Sequence, residues 1–162
     1  MRLQYKGSDV LKGGLIYSLG DTIATFISNE LDLFRLLGMF IIGATIYSFE
    51  IPNYFRWIDQ KIDKNGSFKS SITRAGLAML YFNPLWIARH ILFIHLISGK
   101  FDLIGWEIIT VGAISFLFNI PISLIANYII QNKIKLSFRF IASAIFSGLM
   151  AIYYSLSAIW FQ

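Results

Sequence analysis

Five apolar stretches, most of them near the ~20 residues that carry a helix across a bilayer, leave this chain few folds. They run Leu11–Ser28, Leu36–Phe49, Ala75–Ser98, Ile104–Ile130 and Phe140–Phe161. A soluble domain could not bury them all. Of the 162 residues, 56% are hydrophobic and only 14% are charged, against roughly 25% charged in an ordinary soluble domain. The mean hydropathy is +0.63. Lipid accepts apolar side chains all round a helix, so a bilayer removes the difficulty. The expected fold is all-α: a polytopic transmembrane helix bundle, one integral membrane domain of four to five spans. The second stretch is short, and the first is the weakest and could lie partly in the interface. Four spans with one amphipathic helix is therefore the alternative to five.

Charge placement bears on orientation. Arg2, Lys6 and Lys12 precede or open the first stretch, and Glu30, Asp32 and Arg35 follow it. The second loop holds Arg56, Lys61, Lys64, Lys69 and Arg74, and the third only Lys100 with Asp102. The fourth holds Lys133, Lys135 and Arg139, and the chain closes on Gln162. Basic loops alternate with poor ones, which by the positive-inside rule puts the N-terminus and both basic loops inside. Five spans then leave the C-terminus outside. The net charge of +5 sits between apolar runs, which suits an anionic membrane surface and not nucleic acid. The basic start lacks the compact apolar run and small-residue site of a cleaved leader, so the first span is expected to act as its own insertion signal.

Polar residues inside the spans fall in stripes. Gly14, Ser18, Asp21, Thr25 and Ser28 recur at four, three, four and three residues, one face of a helix, with Leu15, Leu19, Ile23, Phe26 and Ile27 opposite. In lipid the small and polar face should turn inward. Ser115, Asn119, Ser123 and Asn127 recur every four residues, and Ser143, Ser147 and Ala151 mark the last stretch beside Gly148. Such faces serve helix packing or line a polar path; spacing alone does not separate the two.

Ionisable groups at depth are more informative. Asp21, Arg89 and His90 lie near the middle of their spans, where a lone charge costs about 2.5–3.5 kcal/mol and is usually paired or hydrated. Asp21 with Arg89 is the preferred pair, and the shallower Glu107 is the alternative partner. Pro84 and Pro121 are expected to interrupt spans, with Asn83 and Asn119 placed to satisfy the carbonyls they free. The stretches around them form a weak repeat that would be inverted across adjacent spans.

Catalytic and metal motifs are missing. The chain has no Cys, which excludes disulfides and thiolate chemistry. His90 and His95 stand about 140° apart round a helix, unsuited to one metal. No carboxylate pair, nucleophile elbow or phosphate loop is visible, so neither an enzyme nor a cofactor is expected.

Several short motifs carry a resemblance. Ser18-Leu19-Gly20-Asp21-Thr22-Ile23, Tyr54-Phe55-Arg56-Trp57-Ile58-Asp59, Pro121 with Asn127-Tyr128, Leu136-Ser137-Phe138-Arg139 and Tyr154-Ser155-Leu156-Ser157 follow one another in order. Together they resemble the Mpv-seventeen family, which includes the twenty-two-kilodalton peroxisomal membrane protein. On that resemblance the motif positions are Gly20, Asp21, Trp57, Asp59, Pro84, Pro121, Asn127 and Arg139. The family's Asp-Gln before the third-span proline falls here on Ala78-Met79, about three extra residues separate Asn127 from Arg139, and its last-span Trp is replaced by apolar residues near Met150. The resemblance implies a distant member in the mitochondrial inner or peroxisomal membrane, or in the cytoplasmic membrane of a bacterium, linked to channel-like passage of small solutes. The functional expectation is a channel or pore lined or gated by Asp21, Arg89 and Asn127, within an intramembrane network that adds His90, Glu107 and Asn119. A non-transporting scaffold or assembly factor is the alternative. The expected partners are the bilayer and small solutes, with a homo-oligomer compatible with either.

Overall fold

The computed structural model describes residues 3–64 and 66–160, with side-chain surroundings defined as far as Met150. Arg2, Phe161 and Gln162, and the side chains of Ala151 and Tyr154-Ser155-Leu156-Ser157, were singled out above and lie outside the described residues. The helices are α1 (Gly7–Ile27), α2 (Leu33–Ile42), α3 (Ser48–Lys61), α4 (Phe68–Tyr81), α5 (Pro84–Ile97), α6 (Glu107–Lys133) and α7 (Leu136–Trp160). A π-helical turn, Gly43–Tyr47, joins α2 to α3.

Four stretches among the described residues are long and apolar enough to cross a membrane: Gly7–Ile27, Leu33–Lys61, Phe68–Ile97 and Glu107–Lys133. A shorter apolar helical stretch covers Leu136–Met150. The chain is thus an all-α, multi-pass integral membrane protein. Its second span, expected over Leu36–Phe49, instead reaches Lys61. Charge ends an apolar run without ending a helix, because Arg, Gln and Lys are good helix formers. Arg56 and Lys61 therefore sit on α3, and Lys69 and Arg74 on α4, not in a loop.

Residues cluster into two compact units, one of Met1–Asn53 with Phe140–Gln162 and the other of Tyr54–Arg139. In the first unit α1 and α2 form a hairpin. Asn29 closes α1 in the left-handed region (φ 55°). The Glu30 N–H donates to the Thr25 carbonyl at 2.8 Å, which satisfies a carbonyl the helix end would leave bare. Asp32 caps α2 through the Phe34 N–H. Glycines let backbones touch. A Cβ on Gly13 would stand 2.3 Å from the Gly43 carbonyl oxygen, and one on Gly20 would stand 3.0 Å from the Gly148 Cα.

Pro52 lies inside α3, where it lacks an N–H and crowds the Ser48 carbonyl. The π turn sits just upstream. Its widened ladder leaves the Ala44 carbonyl to accept from the Ser48 hydroxyl and, at 2.7 Å, from the Tyr5 hydroxyl. Asn53 then clasps Gln4 with a two-point bond of 3.0 and 2.8 Å. These contacts tie the segment before α1 to the second span.

The expected polarity of α1 holds. Gly14, Ser18, Asp21 and Thr25 are buried, while Leu15, Leu19, Ile23 and Phe26 are exposed. At the helix end it lapses: Ile27 is half-buried and Ser28 is exposed. The same inversion recurs on α7, with Ser143 and Ala144 buried and Ile145 and Leu149 exposed. A membrane helix needs this arrangement, since hydrocarbon accepts the apolar side and not the other.

In the second unit α4 and α5 both pack on α6. Pro84 breaks the third span as expected. Asn83 caps α5 through the Trp86 N–H, and its amide donates to the Leu80 carbonyl at 3.1 Å, the group Pro84 would otherwise leave bare. Pro121 does not break its span: α6 runs through it for 27 residues, and Pro121 stays exposed. The weak repeat therefore has no structural counterpart, because one asparagine caps a helix and the other lies within one. Gly112 admits α5, since a Cβ there would meet the Pro84 carbonyl oxygen at 2.6 Å.

Candidate functional site

Asp21 is buried on the inner face of α1, about 9 Å of helix from its end. Both carboxylate oxygens are taken by Arg35 of α2: Nε donates to Oδ2 at 2.8 Å and Nη2 to Oδ1 at 2.7 Å. The preferred pairing of Asp21 with Arg89 is thus corrected to Arg35. The hairpin explains the choice. Arg35 sits only a few residues past the turn, and its long side chain reaches down α1 to a carboxylate set deeper. The planar guanidinium fork matches the carboxylate in two parallel bonds. Beside this pair, the Ser18, Thr22 and Thr25 hydroxyls donate to carbonyls of α1 itself.

A second charged cluster lies in the other unit. Arg74 of α4 and Arg139 at the start of α7 converge on Oδ1 of Asp59, the Arg139 Nη1 at 2.6 Å. Both guanidiniums are buried, at 1% and 2% exposure, while Asp59 keeps 26%. Arg74 also donates to the Ile62 carbonyl at 2.7 Å, and Arg139 to the Ile134 carbonyl at 3.0 Å. The fully buried Gln131 of α6 offers its side-chain oxygen to Arg139 at 3.3 Å. Two guanidiniums against one carboxylate leave the cluster one positive charge in excess, because arginine does not deprotonate in proteins.

The structure therefore joins two motif positions, Asp59 and Arg139, that stand 80 residues apart. Trp57, two residues before Asp59, stacks on Tyr54. Gly20 is the contact to Gly148, Pro84 opens α5, and Pro121 lies within α6. On α5, Arg89 lies 5.9 Å over the Phe93 ring and His90 stacks on Trp86 at 5.5 Å. Glu107 is exposed in the first turn of α6. Along the α6 stripe, Ser115, Asn119 and Ser123 are half-buried and Asn127 is buried. The Asn127 amide donates to the Ser123 carbonyl at 2.9 Å. Its Oδ1 is buried without a hydrogen-bond partner, as is the Nε2 of Gln131 one turn on. Among the described residues, no three His, Asp or Glu side chains converge as a metal site requires.

Sequence reasoning passed over Arg35 and Arg74 as loop charges and did not mark Gln131. Arg35 carries a signal in hindsight: an arginine just past a short helical turn can reach an acid deeper in the preceding helix. Gln131 extends the four-residue spacing of Ser115, Asn119, Ser123 and Asn127 by one more step. Arg74 has no local signature, since its partners come from α3, the residue after it and α6.

Fold and site together define a multi-pass helical membrane protein in which each unit holds one charge cluster. Comparison with family models, with curated proteins and with solved structures finds no match to this chain.

Proposed function

We propose that the chain is a channel or pore-like passage for small solutes, of the kind the Mpv-seventeen resemblance implies. The observation that carries this reading is the α6 stripe. It ends in two buried polar atoms without partners, Asn127 Oδ1 and Gln131 Nε2, one turn apart. Such atoms are costly away from water and are commonly satisfied by hydration, so a wet route along this face of α6 accounts for them. The stripe leads to the Asp59–Arg74–Arg139 cluster, whose excess positive charge favours anions over cations at that end. Arg89, on the helix packed against α6, is the mid-membrane charge of this path. Asp21, locked by Arg35, belongs to the other unit and is not a lining group of this path.

Five spans with the N-terminus inside complete this reading. The host is the mitochondrial inner or peroxisomal membrane, or a bacterial cytoplasmic membrane, and a homo-oligomer is compatible with it. Single cysteines at Ser67 and Gln162 should then label from opposite sides, and labelling of both from one side favours four spans. The functional test is current through the purified chain in planar bilayers under asymmetric KCl. Current reversing towards the chloride potential, and reduced by Asn127→Leu, is expected. Silence at every voltage and pH would reject a pore.

A specific observation favours the second reading, a non-transporting scaffold. In the first unit the α1 hydroxyls bond their own helix and glycines bring backbones into contact, as in dry helix packing. A silent bilayer together with full thermal stability of Asn127→Leu would support it.

A further inference from the structure

In the second unit a half-open cavity of about 280 Å³ lies between the start of α4 and the end of α6. Lys64, Gly66, Ser70, Ser71, Tyr128, Asn132 and Lys133 line it. Two ammonium groups, two hydroxyls, a phenol and an amide thus face one space with no carboxylate among them. The Ser70 hydroxyl donates to the Asp63 carbonyl, and the Ser71 carbonyl accepts from the Asn132 amide at 3.1 Å. Four residues beyond Ser70 on the same helix lies Arg74, in the cluster that carries an excess positive charge. The cavity is smaller than the roughly 300–1,000 Å³ of sites for larger organic ligands. With the Ser70 hydroxyl and both Asn132 N–H bonds engaged by backbone carbonyls, the two ammonium groups, the Ser71 hydroxyl and the Tyr128 phenol are the donors that suit a compact anion with several acceptor oxygens.

We propose that this cavity is a phosphate-binding site, filled from the membrane by the headgroup of an anionic phospholipid. The surroundings point to lipid as the source. Phe68, 77% exposed, and the exposed Ile72 sit on α4 beside the lining serines, an apolar flank against which acyl chains can lie. Lys64 lies in the turn between Lys61, which ends α3, and Lys69 in the first turn of α4, and basic pockets between helices at a membrane surface are where acidic headgroups bind. This inference does not depend on solute passage.

The test uses the purified full chain in uncharged detergent. It is titrated separately with dioleoyl phosphatidylglycerol, dioleoyl phosphatidylcholine and inorganic phosphate, and the unfolding temperature is read. The glycerol lipid should raise the unfolding temperature saturably and the choline lipid should not. Lys64→Gln/Lys133→Gln should weaken half-saturation about thirtyfold, two lysines' worth near a headgroup. Lys61→Gln/Lys135→Gln, an equal loss of charge outside the cavity, should leave it unchanged. If inorganic phosphate gives the same shift, the site stands and takes its phosphate from solution. Equal shifts from both lipids, or equal weakening in both double variants, would overturn the proposal, the second by reducing the effect to diffuse surface charge.

Discussion

The two charge clusters solve the problem of a buried ion in different ways. Asp21 and Arg35 meet one to one, with both carboxylate oxygens and two guanidinium nitrogens engaged. The pair is neutral and comes from adjacent helices of one hairpin. The Asp59 cluster sets one acid between two arginines, draws backbone carbonyls from Ile62 and Ile134, and spans 80 residues of sequence. Its acid is the most exposed member, and its cations are almost completely buried. A local pair can be neutral and self-contained. A long-range cluster with excess charge leans on backbone carbonyls and on a partly exposed acid.

Removing each acid breaks the comparison most sharply. Asp59→Asn strips the counter-charge from two buried guanidiniums, so it should cost at least about 3–5 kcal/mol and give the lowest unfolding temperature in detergent of any single change. Asp21→Asn removes one counter-charge from one cation and should be milder. Equal losses would show that the second arginine does not depend on Asp59.

Glycine contacts give the next effect. Gly13→Ala drives a methyl into the Gly43 carbonyl, whereas a Cβ on Gly148 meets the Gly20 Cα at an ordinary 3.5 Å. Overpacking against backbone should cost Gly13→Ala about 1–3 kcal/mol, and Gly148→Ala should be close to neutral by the same thermal assay. Similar effects would mean that α1 shifts to absorb either methyl.

The smallest expected effect is in the clasp between Asn53 and Gln4. Asn53→Ala removes its hydrogen bonds to the segment before α1 and should cost about 1 kcal/mol. Hydrogen exchange at the Gln4 amide should quicken while exchange within α6 does not change. An unchanged exchange rate at Gln4 would contradict the clasp.

Much of this was legible in the sequence. The inward face of α1 followed from Gly14, Ser18, Asp21 and Thr25 alone, because in lipid the polar side of a helix has one place to go. The break at Pro84 followed from Asn83, which both caps the new helix and bonds the carbonyl the proline frees. Pro121 looked alike locally but sits in an unbroken α6, since propensity for a break yields to the packing of both flanks. Mid-span depth made Asp21 conspicuous without naming its partner. Arg35 looked like a loop residue because hydropathy ended the span before the helix-hairpin geometry could be seen. Asp59, Arg74 and Arg139 meet only through tertiary packing, which no periodicity records.

The central structural claim is that Asp21 is neutralised within its own hairpin. A double-mutant cycle on Asp21→Asn and Arg35→Gln, read as thermal stability in detergent, tests it most directly, with Asp21→Asn and Arg89→Gln as the parallel cycle. Each single change in the first cycle should lower stability and the double should recover part of the loss, with a coupling of about 1–3 kcal/mol, while the Arg89 cycle stays additive. Strict additivity for Arg35 with coupling to Arg89 would contradict the claim.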